Sequence, residues 1–184
     1  MHPFTFNGVR SLIGAASILV YILISRKIAG DKAAPLDWKL NVKAGLLCGI
    51  FLTIASTLQQ FGIKYTSVGK AGFITTLYII FVPMFGIFLK KKVAPVVWAA
   101  AVMAAVGMYL LCMTESLRLG AGDIMVFLCA IAFAIQIMTV DHYAARIDGA
   151  VVSCIQFTVC GVVCCIGAVS YTHLRAHETS LHLV

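Results

Sequence analysis

Six long apolar runs separated by short breaks constrain this chain more than anything else in it. They lie at Phe4–Ile24, Ala44–Phe61, Ala71–Leu89, Val93–Met113, Ile124–Val140 and Ala150–Val169. Most approach the ~20 residues that cross ~30 Å of hydrocarbon at ~1.5 Å per residue. In lipid each backbone N–H and C=O must find its partner inside its own segment, so these runs are expected to be helices. Charged residues make up only 11% of the 184, against about 25% in a soluble domain. Too little charge is left to coat a water-facing surface. The expected fold class is therefore all-α: a polytopic membrane helical bundle with six transmembrane helices, integral and multi-pass.

The breaks carry turn chemistry. Arg26–Lys43 holds Gly30, Asp31, Pro35 and Asp37; Lys90, Lys91 and Lys92 precede Pro95; Gly120, Gly122 and Asp123 precede the fifth run; Asp148 and Gly149 precede the sixth. Pro95 suits the first turn of a helix, where its missing N–H has no partner to lose. Short breaks make consecutive helices antiparallel neighbours. Alternate breaks hold nine Lys and Arg on one side (Arg26, Lys27, Lys32, Lys39, Lys43, Lys90, Lys91, Lys92 and Arg146). The other side holds Lys64, Lys70 and Arg118, with Arg10 as a fourth. The positive-inside rule makes the first set cytoplasmic and puts Met1 outside; one further helix upstream would return the N-terminus to the cytoplasm.

The net charge of +7 fits loops held against anionic headgroups. No basic stripe interleaved with aromatics points to nucleic acid. Seven cysteines all lie inside apolar runs and none forms a CxxC pair, so they read as small packing side chains. An internal repeat is faintly visible. Asn7-x-x-Arg10 opens the first run and Ser153-x-x-Gln156 opens the sixth, at an offset of 146 residues. That offset asks for the same upstream helix as the charges do, and internal repeats are common in transporter folds.

The stretch Phe61-Gly-Ile-Lys-Tyr-Thr-Ser-Val-Gly-Lys-Ala-Gly-Phe-Ile-Thr-Thr-Leu-Tyr-Ile-Ile-Phe-Val-Pro83 resembles the hallmark of EamA-type transporters of the drug/metabolite transporter superfamily. Pro3-Phe-Thr-Phe-Asn-Gly-Val-Arg10 is similar to the opening of that family's second helix, and Gly107-Met-Tyr-Leu-Leu111 to the end of its fifth. Gly122-Asp123 followed by Cys129-Ala130 and Phe133-Ala134 resembles the start of its second half. The resemblance covers about Pro3–Val169. It implies ten helices in two inverted five-helix repeats, of which this chain holds the second to the seventh. Residues 1–118 are then a first repeat lacking its first helix, and 119–169 the start of a second. Lys92 stands where the family commonly has an acidic residue. Residues 170–184 do not continue the family pattern; they resemble an adapter-like tail found on unrelated metagenomic chains, and are expected to be non-native.

Few side chains in the runs carry chemistry. Pro83 removes the hydrogen bond to the Ile79 carbonyl and is expected to kink the third helix there. The freed carbonyl either lines a cavity or marks a packing kink. Thr75, Thr76 and Tyr78 precede it; their hydroxyls face a wet cavity or, for the threonines, bond back to the preceding turn. Gln136 and Gln156 sit inside runs and need partners. Gln59 and Gln60 end the second run, where an interfacial role competes with a cavity one. Arg10 lies at or just inside the membrane edge, where it snorkels or meets an anionic group. Asp141 and His142 read as interfacial. His173-x-x-x-His177 has metal-ligand spacing but lacks the internal glutamate of a zincin. Gly45-Leu-Leu-Cys-Gly49 is a small-xxx-small seam, which serves packing inside the chain or a homodimer face.

The candidate substrate-binding set is thus Arg10, Thr75, Thr76, Tyr78, Pro83, Gln136 and Gln156. No catalytic residue, metal or cofactor is expected, because there is no phosphate loop, nucleophile elbow or carboxylate pair, and the chain does not read as an enzyme. The expected function is secondary transport of a small metabolite or drug across a bacterial-type plasma membrane by alternating access. The expected partners are that small-molecule substrate and the bilayer. As written, the chain lacks the cover of the second repeat and is expected to be inactive. The alternative is a membrane scaffold without transport, in which polar residues pair at scattered places.

Overall fold

A computed structural model of the chain describes residues 3–29, 37–89, 94–112 and 120–181; the side chains of Ala29, Met108, 111–112 and 172–181 lie outside the description. Every described element is helical. In chain order they are α1 (Pro3–Ala29), α2 (Trp38–Gly62), α3 (Val68–Thr76), α4 (Tyr78–Phe88), α5 (Pro95–Cys112), α6 (Ala121–Tyr143), a 3₁₀ turn (Ala144–Arg146) and α7 (Gly149–Leu181). Gly30, Asp31, Pro35, the Lys90–Lys92 cluster and Arg118 lie outside the described residues, as do the side chains of His173 and His177.

The helices outrun the apolar runs, because polar residues at the run ends act as caps. Asp37 accepts from Leu40 N at 3.2 Å, so α2 starts at Trp38 and takes in Lys39, Asn41 and Lys43. Asp148 accepts from Ala150 N at 3.0 Å and starts α7. Pro95 takes the first position of α5, as its chemistry favours. The backbone of α7 stays helical past Val169 to Leu181.

The third run departs from expectation. Besides Pro83, which lies inside a helix, it carries a one-residue turn at Leu77 that divides it into α3 and α4. Leu77 N bonds the Ile74 carbonyl at 3.2 Å, an i→i−3 bond that tightens the turn. Just before it Thr76 Oγ1 bonds back to the Gly72 carbonyl at 2.8 Å, a competition with the backbone ladder that bends helices. Pro83 lies inside α4 and is buried.

Among the described residues, five helical stretches are long and apolar enough to cross a membrane: Pro3–Ile28, Trp38–Gly62, Val68–Phe88, Ala121–Arg146 and Gly149–Tyr171. The helix expected over Val93–Met113 is α5, apolar but shorter over its described stretch Pro95–Gly107. The chain is a multi-pass integral membrane protein.

Two compact units divide the chain, one of residues 1–53 with 146–184, the other of residues 54–145. In the first, α1 packs along α7. Here the interior is built from small residues: Ala15, Ala44, Cys48, Cys160 and Cys164 are buried. Large apolar side chains such as Ile13, Tyr21 and Leu23 are more than 60% exposed. In water such a surface would aggregate; in lipid it is the solvated face, and small residues let helices approach. Gly45 and Gly49 are the points of closest approach to α7: a Cβ on Gly45 would stand 2.7 Å from Ile155 Cβ, and one on Gly49 2.8 Å from Val159 Cβ. The Gly45–Gly49 seam is thus occupied inside the chain.

In the second unit α6 packs against α3 and α4, and α5 packs on the same pair. Ala55, Cys129 and Ala132 form one buried cluster with Leu58 and Phe133 against it. Ala71, Ile74 and Val126 form another beside Ile63, Phe73 and Leu77.

Candidate functional site

In the unit of residues 54–145 the polar chemistry begins where α2 ends. Gly62 closes α2, and a tight turn through Tyr65 leads to Ser67, whose hydroxyl accepts from Lys70 N at 3.2 Å and caps α3. Lys70 therefore lies in the first turn of α3. Its Nζ stands 2.6 Å from Asp123 Oδ2, in the first turn of α6. Thr66 Oγ1 donates to Asp123 Oδ1 at 2.6 Å, and Gly120 N donates to Asp123 Oδ2 at 2.7 Å. Asp123 is 3% exposed and Lys70 14%. A carboxylate at a helix N-terminus also meets the positive end of the helix dipole. The backbones meet here too: a Cβ on Gly122 would lie 2.7 Å from the Gly62 carbonyl oxygen.

One to two turns along α3, Gln59 Nε2 of α2 donates to Thr75 Oγ1 at 3.2 Å, which joins two polar side chains inside apolar spans. Thr76 points elsewhere, bonding back to Gly72, and helps to line an apolar crevice with Phe73, Leu77, Ile79 and Ala101. Tyr78 sets its ring at a tilt to that of Phe133 of α6, centroids 6.3 Å apart, and Phe81 meets Phe127 edge-on at 5.5 Å. Gln136 is half-buried on α6. Thr57 Oγ1 is buried and has no hydrogen-bond partner among the described residues.

Arg10 and Gln156 belong to the other unit. Arg10 is exposed on α1, with its guanidinium 5.9 Å from the Phe6 ring centroid and 3.4 Å from Asn7 Oδ1. Gln156 is 8% exposed, and a Cβ on Gly49 would lie 3.2 Å from its Cα. Ser11 Oγ donates to Cys160 Sγ at 3.4 Å. At the capped end of α7, buried Asn41 accepts from Asp148 N at 2.9 Å, and Arg26 stands 3.7 Å from Asp148 in an exposed pair. Asp141 and His142 are exposed.

Of the candidates read from sequence, Thr75 is drawn into a polar contact between helices, Tyr78 into an aromatic one, and Thr76 into its own backbone. Sequence reasoning missed the Asp123 network and Asn41. It took Lys70 as a topological charge and Asp123 as turn chemistry. The available signal was that both lie in breaks opening on the same side of the membrane, where opposite charges next to apolar runs can meet. Thr57 was missed because a hydroxyl in an apolar run reads as back-bonded.

A family model described as the EamA-like transporter family matches residues 1–113. An "Uncharacterized transporter" of Archaeoglobus fulgidus is 30% identical over 150 residues, covering 78% of this chain. The chain spans 42% of the length of that relative. No solved structure matches the chain.

Proposed function

The chain belongs to the EamA-like transporter family, and from that premise we propose that it forms part of a secondary transporter that moves a small metabolite or drug by alternating access. The observation that carries this reading is the hydrogen-bonding chemistry held inside otherwise apolar spans, above all the Gln59–Thr75 contact. Amides and hydroxyls in lipid-spanning helices need hydrogen-bond partners, and transporter substrate sites are built where such groups gather between helices. Thr75, Tyr78 and Gln136, with Thr57 two residues before Gln59 on α2, supply hydroxyls and an amide but no fixed charge. Thr76 and Pro83 shape α3 and α4; Arg10 and Gln156 offer a cation and an amide in the other unit. The 184 residues alone do not complete a transport cycle on this reading, since the match covers only 42% of the relative.

Uptake of a radiolabelled panel of metabolites and cationic drugs into proteoliposomes tests both statements. The chain alone is expected to give none. A chimera carrying these residues in place of the matching part of the Archaeoglobus fulgidus relative is expected to give saturable uptake. Uptake by the chain alone overturns the inactivity; an inert chimera that folds overturns the transporter reading.

A further inference from the structure

We propose that Lys70 and Asp123 are positioning residues: their buried ion pair sets the register of α3 on α6, and through it the Gln59–Thr75 contact. The functional meaning of that contact rests on the transporter reading above; the mechanical claim does not. α3 is only nine residues long and joins α4 through a one-residue turn at Leu77, where the regular ladder between the two is interrupted. α4 is anchored separately, by Tyr78 on Phe133 and Phe81 on Phe127. α3 also packs on α5, with Phe73 beside Tyr109, but against α6 it is held by the apolar contact of Ala71 and Ile74 with Val126 and by the ion pair. Apolar contact between smooth side chains tolerates sliding; a charge-assisted bond of 2.6 Å does not. Thr66 and Gly120 use the other bonding positions of the carboxylate, so Asp123 cannot turn away to another partner. Gly62 and Gly122 bring the backbones into contact at the same level, which leaves the pair no slack. Thr75 lies five residues beyond Lys70 on a stiff helix. A slip of α3 by one residue would rotate it by about 100° and carry Thr75 off Gln59.

Cross-linking in the full 184-residue chain tests this, with its seven native cysteines replaced by alanine. One cysteine pair, Gln59→Cys with Thr75→Cys, reports on α3. A control pair, Tyr78→Cys with Phe133→Cys, reports on α4. A short bifunctional maleimide is applied in nanodiscs, with and without Asp123→Asn or Lys70→Met. The expected result is a drop of at least fivefold in the Gln59–Thr75 product, with the Tyr78–Phe133 product unchanged. The reciprocal swap, Lys70→Asp with Asp123→Lys, is expected to recover a substantial part of the lost product. No change in the Gln59–Thr75 product overturns the proposal. So does parallel loss of both products, which would mean that the pair only holds the fold together. None of these readouts needs transport, so an inert chimera in the uptake experiment leaves this test standing.

Discussion

Asp123 shows how much a single residue commits. Its carboxylate is 3% exposed, and Lys70, Thr66 and Gly120 N all point hydrogens at it. Removing one partner of a buried ion pair strands the other charge, which costs about 3–5 kcal/mol. Asp123→Asn and Lys70→Met are each expected to lower unfolding stability by that order in a denaturation titration. The double variant is expected to cost clearly less than the two singles together, since no charge is left stranded. Thr57 makes the opposite case. Its buried hydroxyl has no partner among the described residues, so Thr57→Val is expected to be neutral or stabilising by up to about 1 kcal/mol. Under the transporter reading the same change weakens solute binding in the chimera, a separation of stability from function that ligand-dependent melting would show.

At the scale of elements, glycines decide how near the helices come. A Cβ on Gly161 of α7 would stand 2.7 Å from Leu12 Cδ2 of α1, whereas one on Gly107 of α5 meets nothing within 4 Å. Gly161→Ala is expected to destabilise by about 1–3 kcal/mol through overpacking. Leu12→Ala in the same chain removes the clashing atoms and should recover part of that loss. Gly107→Ala should instead stabilise by up to about 1 kcal/mol, because alanine is the better helix former. Thermal melts of the three variants beside the parent chain in one detergent check all of this. The break at Leu77 is a property of the same kind. Two β-branched threonines and one back-bond interrupt a run whose composition reads as a continuous helix.

For the whole molecule, the charges of the breaks predict a direction across the bilayer. Tyr65 lies in the α2–α3 turn and is 67% exposed; Gly149 opens α7 beyond the Arg146 break. In a cysteine-free background, Tyr65→Cys is expected to react with a membrane-impermeant maleimide in intact spheroplasts. Gly149→Cys is expected to react only after permeabilisation. The reverse pattern would show that the positive-inside reading is inverted. The sequence by itself determined the class and the helices, because twenty-residue apolar runs in lipid leave a backbone no alternative to the helix, and the Phe61–Pro83 motif pointed to the family. It also marked Gly45 and Gly49 as a seam, because small residues four apart share one helix face. It misjudged helix ends, since the caps Asp37 and Asp148 lie outside the apolar pattern and act through hydrogen bonds that hydropathy does not register. It singled out Pro83 in the third run and did not foresee the turn at Leu77. Only the tertiary structure decided that Lys70 meets Asp123 and Gln59 meets Thr75, contacts 53 and 16 residues apart in the chain. Such pairings depend on how helices are rotated against one another. Where nearly every face of a helix is apolar, composition gives that rotation no preferred direction, and it is set by where the glycines let backbones touch and where a buried charge finds its partner.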